Sequence, residues 1–165
     1  MKIGFIGLGN MGGPMAANLA AAGHAVAGYD LAAPAPAGVT MVESAAAAAT
    51  HAAVVITMLP NGAILRAVAK AVIPAMAPGA VLLDCSTVDV ASARDAAAWA
   101  GAAGLGALDA PVSGGVGGAQ AGTLTFMVGG DAAAFATARP LFEVMGQKAV
   151  HCGPAGNGQA AKICN

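Results

Sequence analysis

Charge is scarce in this 165-residue chain: seven Lys/Arg stand against eight Asp/Glu, leaving a formal charge of −1. No basic stripe is available to neutralise a phosphate backbone, which excludes ordinary nucleic-acid binding. Cysteine is sparse too. Cys85, Cys152 and Cys164 are odd in number and lack a CxxC, so neither a disulfide framework nor a zinc site is expected, only small buried hydrophobes. His24, His51 and His151 are scattered without ligand spacing, and no metal is expected. An unbroken membrane span is also missing. Residues 3–29 and 44–65 carry no formal charge, yet a span needs about 20 mostly apolar residues in helical register. Gly7, Gly9, Asn10, Gly12, Gly13 and Pro14 interrupt the first run, and His51, Pro60 and Asn61 the second. The same glycine cluster breaks any secretory h-region, so a soluble protein in the cytoplasm is expected.

Alanine and glycine are plentiful, at 46 and 24 residues. Together with a hydrophobic fraction of 58% they exclude disorder. The length suits one domain. Short apolar runs alternate with alanine-rich segments. Lys2–Ile6, Ala25–Tyr29, Ala53–Leu59, Val81–Asp84, Ala107–Ala110, Leu124–Val128 and Lys148–His151 read as strands. Asn10–Ala22, Glu43–Ala49, Asn61–Val72, Val90–Ala103 and Asp131–Met145 read as helices, with another starting at Gly156. Residues 113–122 read as a glycine-rich loop. This alternation predicts an α/β fold, doubly wound around a largely parallel sheet. Val54-Val55-Ile56 and Val81-Leu82-Leu83 have the continuous apolarity of strands covered on both faces.

Gly7-Leu8-Gly9-Asn10-Met11-Gly12 is a complete GxGxxG between a strand and a helix. Gly7 permits a tight turn, Gly9 lets backbone approach a pyrophosphate, and Gly12 lets helix and strand pack closely. The helix N-terminus then offers N–H groups to the anion. Asp30 follows Gly12 by 18 residues, at the end of the next strand, where an acid accepts hydrogen bonds from ribose hydroxyls. No Lys or Arg lies between Asp30 and Arg66, so a 2′-phosphate would meet a carboxylate without a cation. NAD is predicted over NADP.

A second cluster, Ser113-Gly114-Gly115-Val116-Gly117-Gly118, lacks the strand–GxGxxG–helix arrangement. Its hydroxyl and successive N–H groups suit an anion such as a carboxylate, although a plain flexible connector has the same composition. Lys162 is the only Lys or Arg after Lys148 and sits in an apolar helix start. A lysine there is either a solvated surface residue or a general acid/base.

Five motifs in order resemble the β-hydroxyacid dehydrogenases: Gly7–Gly12 with Met15-Ala16-Ala17-Asn18-Leu19; Met58-Leu59-Pro60-Asn61; Asp84-Cys85-Ser86-Thr87; Asp109-Ala110-Pro111-Val112-Ser113-Gly114-Gly115; and Gly156-Asn157-Gly158-Gln159-Ala160-Ala161-Lys162. Within that family, the stretch from Asp109 to Gly130 is most similar to the 3-hydroxyisobutyrate dehydrogenases, with tartronate semialdehyde reductases as neighbours. The resemblance implies that Gly7, Leu8, Gly9, Asn10, Met11, Gly12 and Asp30 hold NAD, and that Leu59, Pro60 and Thr87 line the cofactor cleft. It implies that Ser113, Gly114 and Gly115 bind a small carboxylate substrate and that Lys162 is the catalytic acid/base. The implied reaction oxidises 3-hydroxyisobutyrate to methylmalonate semialdehyde, a step of valine catabolism. Tartronate semialdehyde reduction is the enzymatic alternative, and a nucleotide-binding module without chemistry the other.

Residues 1–155 are expected to form the NAD-binding domain, with 156–165 starting an interdomain helix. In the family an asparagine that assists the lysine directly follows the position of Asn165, and a helical domain closes the cleft and makes the homo-oligomer. The chain is therefore expected to be the cofactor domain of a longer enzyme, binding NAD without turnover by itself.

Overall fold

The structure is a computed structural model and describes residues 1–165. Its elements are β1 (Lys2–Ile6), α1 (Gly12–Ala21), β2 (Ala25–Tyr29), β3 (Thr40–Met41), α2 (Ala45–Ala49), β4 (Val54–Thr57), α3 (Gly62–Val72), β5 (Val81–Asp84), α4 (Val90–Ala102), β6 (Gly106–Asp109), β7 (Val112–Ser113), α5 (Gly115–Ala121), β8 (Leu124–Gly130), α6 (Ala132–Met145), β9 (Gly146–His151) and α7 (Asn157–Ile163). The order β3-β2-β1-β4-β5-β6 is parallel throughout. β8 then runs antiparallel to β6 and β7, and parallel to β9. This is the Rossmann-type doubly wound sheet expected from the alternation. The winding direction reverses between β1 and β4, which opens a crevice beyond their carboxyl ends.

Alternate strand residues feed two cores. Ile3, Phe5, Val54, Ile56, Val81 and Leu83 pack with Met15 and Leu19 of α1 and Leu141 and Phe142 of α6. Ile6, Val55 and Leu82 pack with Ala48 of α2, Leu65 and Ala69 of α3 and Ala96 of α4. Each large aliphatic side chain buried this way contributes roughly 1.5–3 kcal/mol. The alanines have a packing role as well. A Cβ on Gly4 would collide with the Ala48 carbonyl, so α2 lies directly on β1, its start capped by Ser44 Oγ, which accepts from Ala47 N–H at 3.0 Å. Asn61, Asp89 and Asp131 cap α3, α4 and α6 in the same way. No helix is long and apolar enough to cross a membrane.

The main departure from expectation is residues 113–122, which are not a loop. Gly114 (φ 135°) and Gly115 (φ 63°) make a left-handed turn, and Gly115–Ala121 is then helical. Glycine costs about 1 kcal/mol per helical position relative to alanine, so sequence propensity argues against α5. Tertiary contacts override it. Gly118 and Ala119 are buried, Asn18 of α1 donates to Ala119 O at 2.9 Å, and left-handed Gly122 closes the turn. The two-residue strands β3 and β7 and a 3-10 turn at Ile73–Ala75 also carry no sequence signal. Strands β8 and β9 are longer than expected by two residues each, at their C-terminal and N-terminal ends respectively. Cys85 is buried as expected, but Cys152 is half-buried and Cys164 exposed. Burial of the latter two is corrected: Cys164 follows the last turn of α7, where no element covers it.

Candidate active site

The crevice holds a cavity of about 600 Å³ lined by Gly7, Gly9, Asn10, Met11, Gly12 and Asp30, with Leu59 and Pro60 opposite. These are eight of the sequence-predicted cofactor residues. The glycines differ in what requires them. Gly7 takes φ 94°, and a Cβ there would strike the Met58 carbonyl; a Cβ on Gly12 would strike the Gly7 carbonyl. Gly9 has no neighbour within 4 Å of a Cβ position, so its backbone is open to the cavity. Helix α1 begins at Gly12 without a side-chain cap; Gly13 and Met15 N–H donate to the Gly9 and Met11 carbonyls, and Pro14 has no N–H, so the N–H groups of Asn10, Met11 and Gly12 are the ones left for an anion. Leu8 is elsewhere: its side chain is buried in the core, and its N–H donates to Asp30 Oδ2 at 2.8 Å.

Asp30 thereby ties the glycine turn to the end of β2. Its Oδ1 accepts from Ala32 and Ala33 N–H at 2.9 and 2.8 Å. Burial pushes this carboxyl up, but those three N–H bonds outweigh it and hold Asp30 below the usual carboxylate range. An ionised acceptor with lone pairs left over suits a ribose diol. No Lys or Arg lines the cavity. An open glycine backbone, an uncapped helix start and this carboxylate fit NAD. The sequence reading missed Ile64 and Val68 of α3, which complete the apolar wall. Their i, i+4 spacing behind Asn61 marks a shared helix face but not that this face meets the cavity.

Thr87, in the loop beyond β5, is exposed and is not among the residues that line the cavity. Beneath it Asp84 is buried. Its Oδ1 accepts from Thr57 Oγ1 at 2.8 Å and Ser86 N–H at 3.1 Å, while Oδ2 has no partner. Burial pushes its carboxyl up to about 6, against the hydrogen bonds from Ser86 and Thr57, with a smaller push from Asp109. Ser86 Oγ accepts from Leu59 N–H at 2.7 Å, which joins the β5 loop to the Leu59–Pro60 wall.

The third part is assembled from distant segments. Lys162 Nζ donates to Ser113 Oγ at 3.0 Å across 49 residues of sequence, and Asn165 Nδ2 reaches the same oxygen at 2.9 Å. With both lone pairs engaged, the Ser113 proton is left free to donate outward. Gly114 and Gly115 turn beside it into α5. Asp109, given no separate role by the sequence, seats α7: Oδ1 accepts from Gly156 N–H at 2.8 Å and Oδ2 from Gln159 N–H at 2.9 Å. Burial raises the Asp109 carboxyl despite these bonds. A Cβ on Gly158 would collide with the Asp109 and Met127 carbonyls, so α7 rests directly on β6 and β8.

Residues 2–153 match the family described as the NAD binding domain of 6-phosphogluconate dehydrogenase. A probable 3-hydroxyisobutyrate dehydrogenase of Mycobacterium tuberculosis is 51% identical over 99% of this chain and 57% of its own length. An NAD-dependent L-serine dehydrogenase of Pseudomonas aeruginosa is 49% identical over 99% of this chain and 58% of its own length. The structure of the Mycobacterium tuberculosis 3-hydroxyisobutyrate dehydrogenase with L-serine superposes with a TM-score of 0.93, covering 99% of this chain and 58% of that one at 51% identity. The chain thus spans little more than half the length of these relatives, and within that span it belongs to the family of NAD-binding domains of 6-phosphogluconate dehydrogenase type.

Proposed function

We propose that this chain is the cofactor domain of an NAD-dependent dehydrogenase of small 3-hydroxy carboxylates, with 3-hydroxyisobutyrate as substrate and methylmalonate semialdehyde as product. The observation that carries the reading is the Lys162–Ser113 hydrogen bond of 3.0 Å, in a fold that also holds the glycine-turn cleft. Bound NAD supplies the hydride acceptor. Lys162 Nζ, as the neutral amine, takes the substrate hydroxyl proton as the carbinol carbon is oxidised, and as the ammonium returns it in the reverse direction. Ser113 donates its free proton to the substrate carboxylate, and the N–H groups of the Gly114–Gly115 turn add to that anion site. The Gly7–Gly12 turn and Asp30 hold the pyrophosphate and the adenosine ribose, and Leu59, Pro60 and Thr87 border the nicotinamide side.

Relatives named for 3-hydroxyisobutyrate and for L-serine support the substrate class, since both compounds carry a hydroxyl on the carbon β to a carboxylate. The L-serine complex of a 51% identical relative favours serine oxidation as the second reading. A place in valine catabolism and a homo-oligomer built through a further helical domain belong to the same proposal. The test is a panel of 3-hydroxyisobutyrate, L-serine and tartronate semialdehyde, followed by NADH absorbance in a protein of the relatives' full length. The highest kcat/KM is expected for 3-hydroxyisobutyrate. A preference for serine selects the second reading, and NAD binding without turnover of any of the three overturns both. The 165-residue chain alone is expected to bind NAD with little or no turnover.

A further inference from the structure

Gln159 is a polar side chain that neither the cleft nor the lysine chemistry accounts for. It is 1% exposed, and such a residue persists only where its amide is satisfied. Here both ends are. Nε2 donates to Ser86 O at 2.7 Å, and Oε1 accepts from Val88 N–H at 3.2 Å. Ser86 O and Val88 N belong to the two peptide groups that flank Thr87. One planar amide therefore fixes both peptide planes around the exposed Thr87. The Gln159 backbone N–H is itself held by Asp109 Oδ2, and Lys162 follows one turn later on α7. Ser86 also receives Leu59 N–H. A continuous set of hydrogen bonds thus runs from the cofactor wall, through the Thr87 loop, to the helix that carries the lysine.

We propose that Gln159 is a positioning residue that sets the register of the Lys162 helix against the Thr87 loop, and so the distance between proton acceptor and nicotinamide. This rests on the dehydrogenase reading above. Its physical basis is that small misplacements of reacting groups cost rate far more than they cost binding. The amide is suited to the task because it is a donor and an acceptor in one rigid plane. A carboxylate lacks the donor, and an apolar chain of equal length lacks both.

The test uses Gln159→Met and Gln159→Glu in the NAD-loaded, full-length protein. In Gln159→Met, the Val88 amide should exchange with solvent about tenfold faster while those of Leu82 and Leu83 keep their protection. Its kcat should fall about 10- to 100-fold, with KM for NAD changed less than about threefold. The deuterium isotope effect on kcat, with substrate labelled at the carbinol carbon, should rise as chemistry becomes slower. Gln159→Glu should match it at neutral pH and, relative to the unmodified protein at the same pH, recover activity on acidification, because a protonated carboxyl again donates to Ser86 O and accepts from Val88 N–H. If Gln159→Met does not fold, this pH-dependent rescue decides alone. Unchanged Val88 exchange overturns the proposal, as does an unchanged isotope effect, since a mere loss of folded molecules lowers kcat without altering it. A Gln159→Glu variant insensitive to pH overturns it too. If the unmodified protein oxidises no 3-hydroxy carboxylate, the dehydrogenase reading fails separately, and Val88 exchange alone judges the clamp.

Discussion

The two glycine-rich segments of this chain look alike in composition and differ in construction. Gly7–Gly12 is a local device. Its turn, its helix and the strand before it are contiguous, and a Cβ on Gly7 or Gly12 would strike backbone. Ser113–Gly118 is a tertiary device. Its hydroxyl gains meaning from Lys162, 49 residues away, and Gly115 and Gly117 have nothing within 4 Å of a Cβ position. In the first segment steric exclusion by backbone requires Gly7 and Gly12 but not Gly9; in the second, left-handed backbone requires Gly114 and Gly115, and only the Leu124 side chain comes close, at Gly114 and Gly118. Equal glycine content therefore does not mean equal sensitivity to substitution.

The largest expected effect separates the two devices by function. Lys162→Ala in the full-length protein should lower kcat about 10²- to 10⁴-fold, with NAD affinity by calorimetry unchanged; a matching loss of NAD affinity would make the two devices one. Next comes the buried carboxyl between them. The Asp84 value of about 6 lies above the ordinary 3.8, so its stabilising contribution is complete below about pH 4 and lost as pH rises through 6. Acidification from pH 7 to 4.5 should stabilise the fold through this group, by about 2 kcal/mol. Asp84→Asn should flatten the dependence in denaturant melts across that range.

Gly12→Ala should then cost about 1–3 kcal/mol in the same melts, because backbone and not a flexible side chain must yield, and NAD affinity should fall with it. Asp30→Ala, which removes the ribose acceptor together with the tie to Leu8 N–H of the glycine turn, should weaken NAD binding by at least roughly tenfold, the scale of one charge-assisted hydrogen bond. The smallest effect has the opposite sign. Gly117→Ala in α5 should raise stability by about 0.5–1 kcal/mol. A destabilised Gly117→Ala would show the second segment to be as sterically constrained as the first.

How much was legible follows from the same contrast. The Gly7–Gly12 turn, the Asp30 position and the continuously apolar strands β4 and β5 all express short-range rules. Helix α5 was not legible, because its glycines oppose a helix and only burial against α1 and β8 holds it. Ile64 and Val68 have ordinary core spacing, and nothing local says that the space they face is empty. Asp109 and Gln159 are polar residues whose roles depend on which strand lies under α7. Motif resemblance reached Ser113 and Lys162 by matching them to a family, without any account of why they meet.

The sequence by itself determined the α/β alternation and the places of the first glycine turn and of the acid that follows it. Each depends on dihedral preferences or hydrophobic period within a few residues. Only the tertiary structure decided that Lys162 reaches Ser113, that Asp109 seats α7, and that Gln159 joins that helix to the Thr87 loop. Those contacts pay their ordering entropy across long separations. Sheet order and close packing, not local propensity, bring them together.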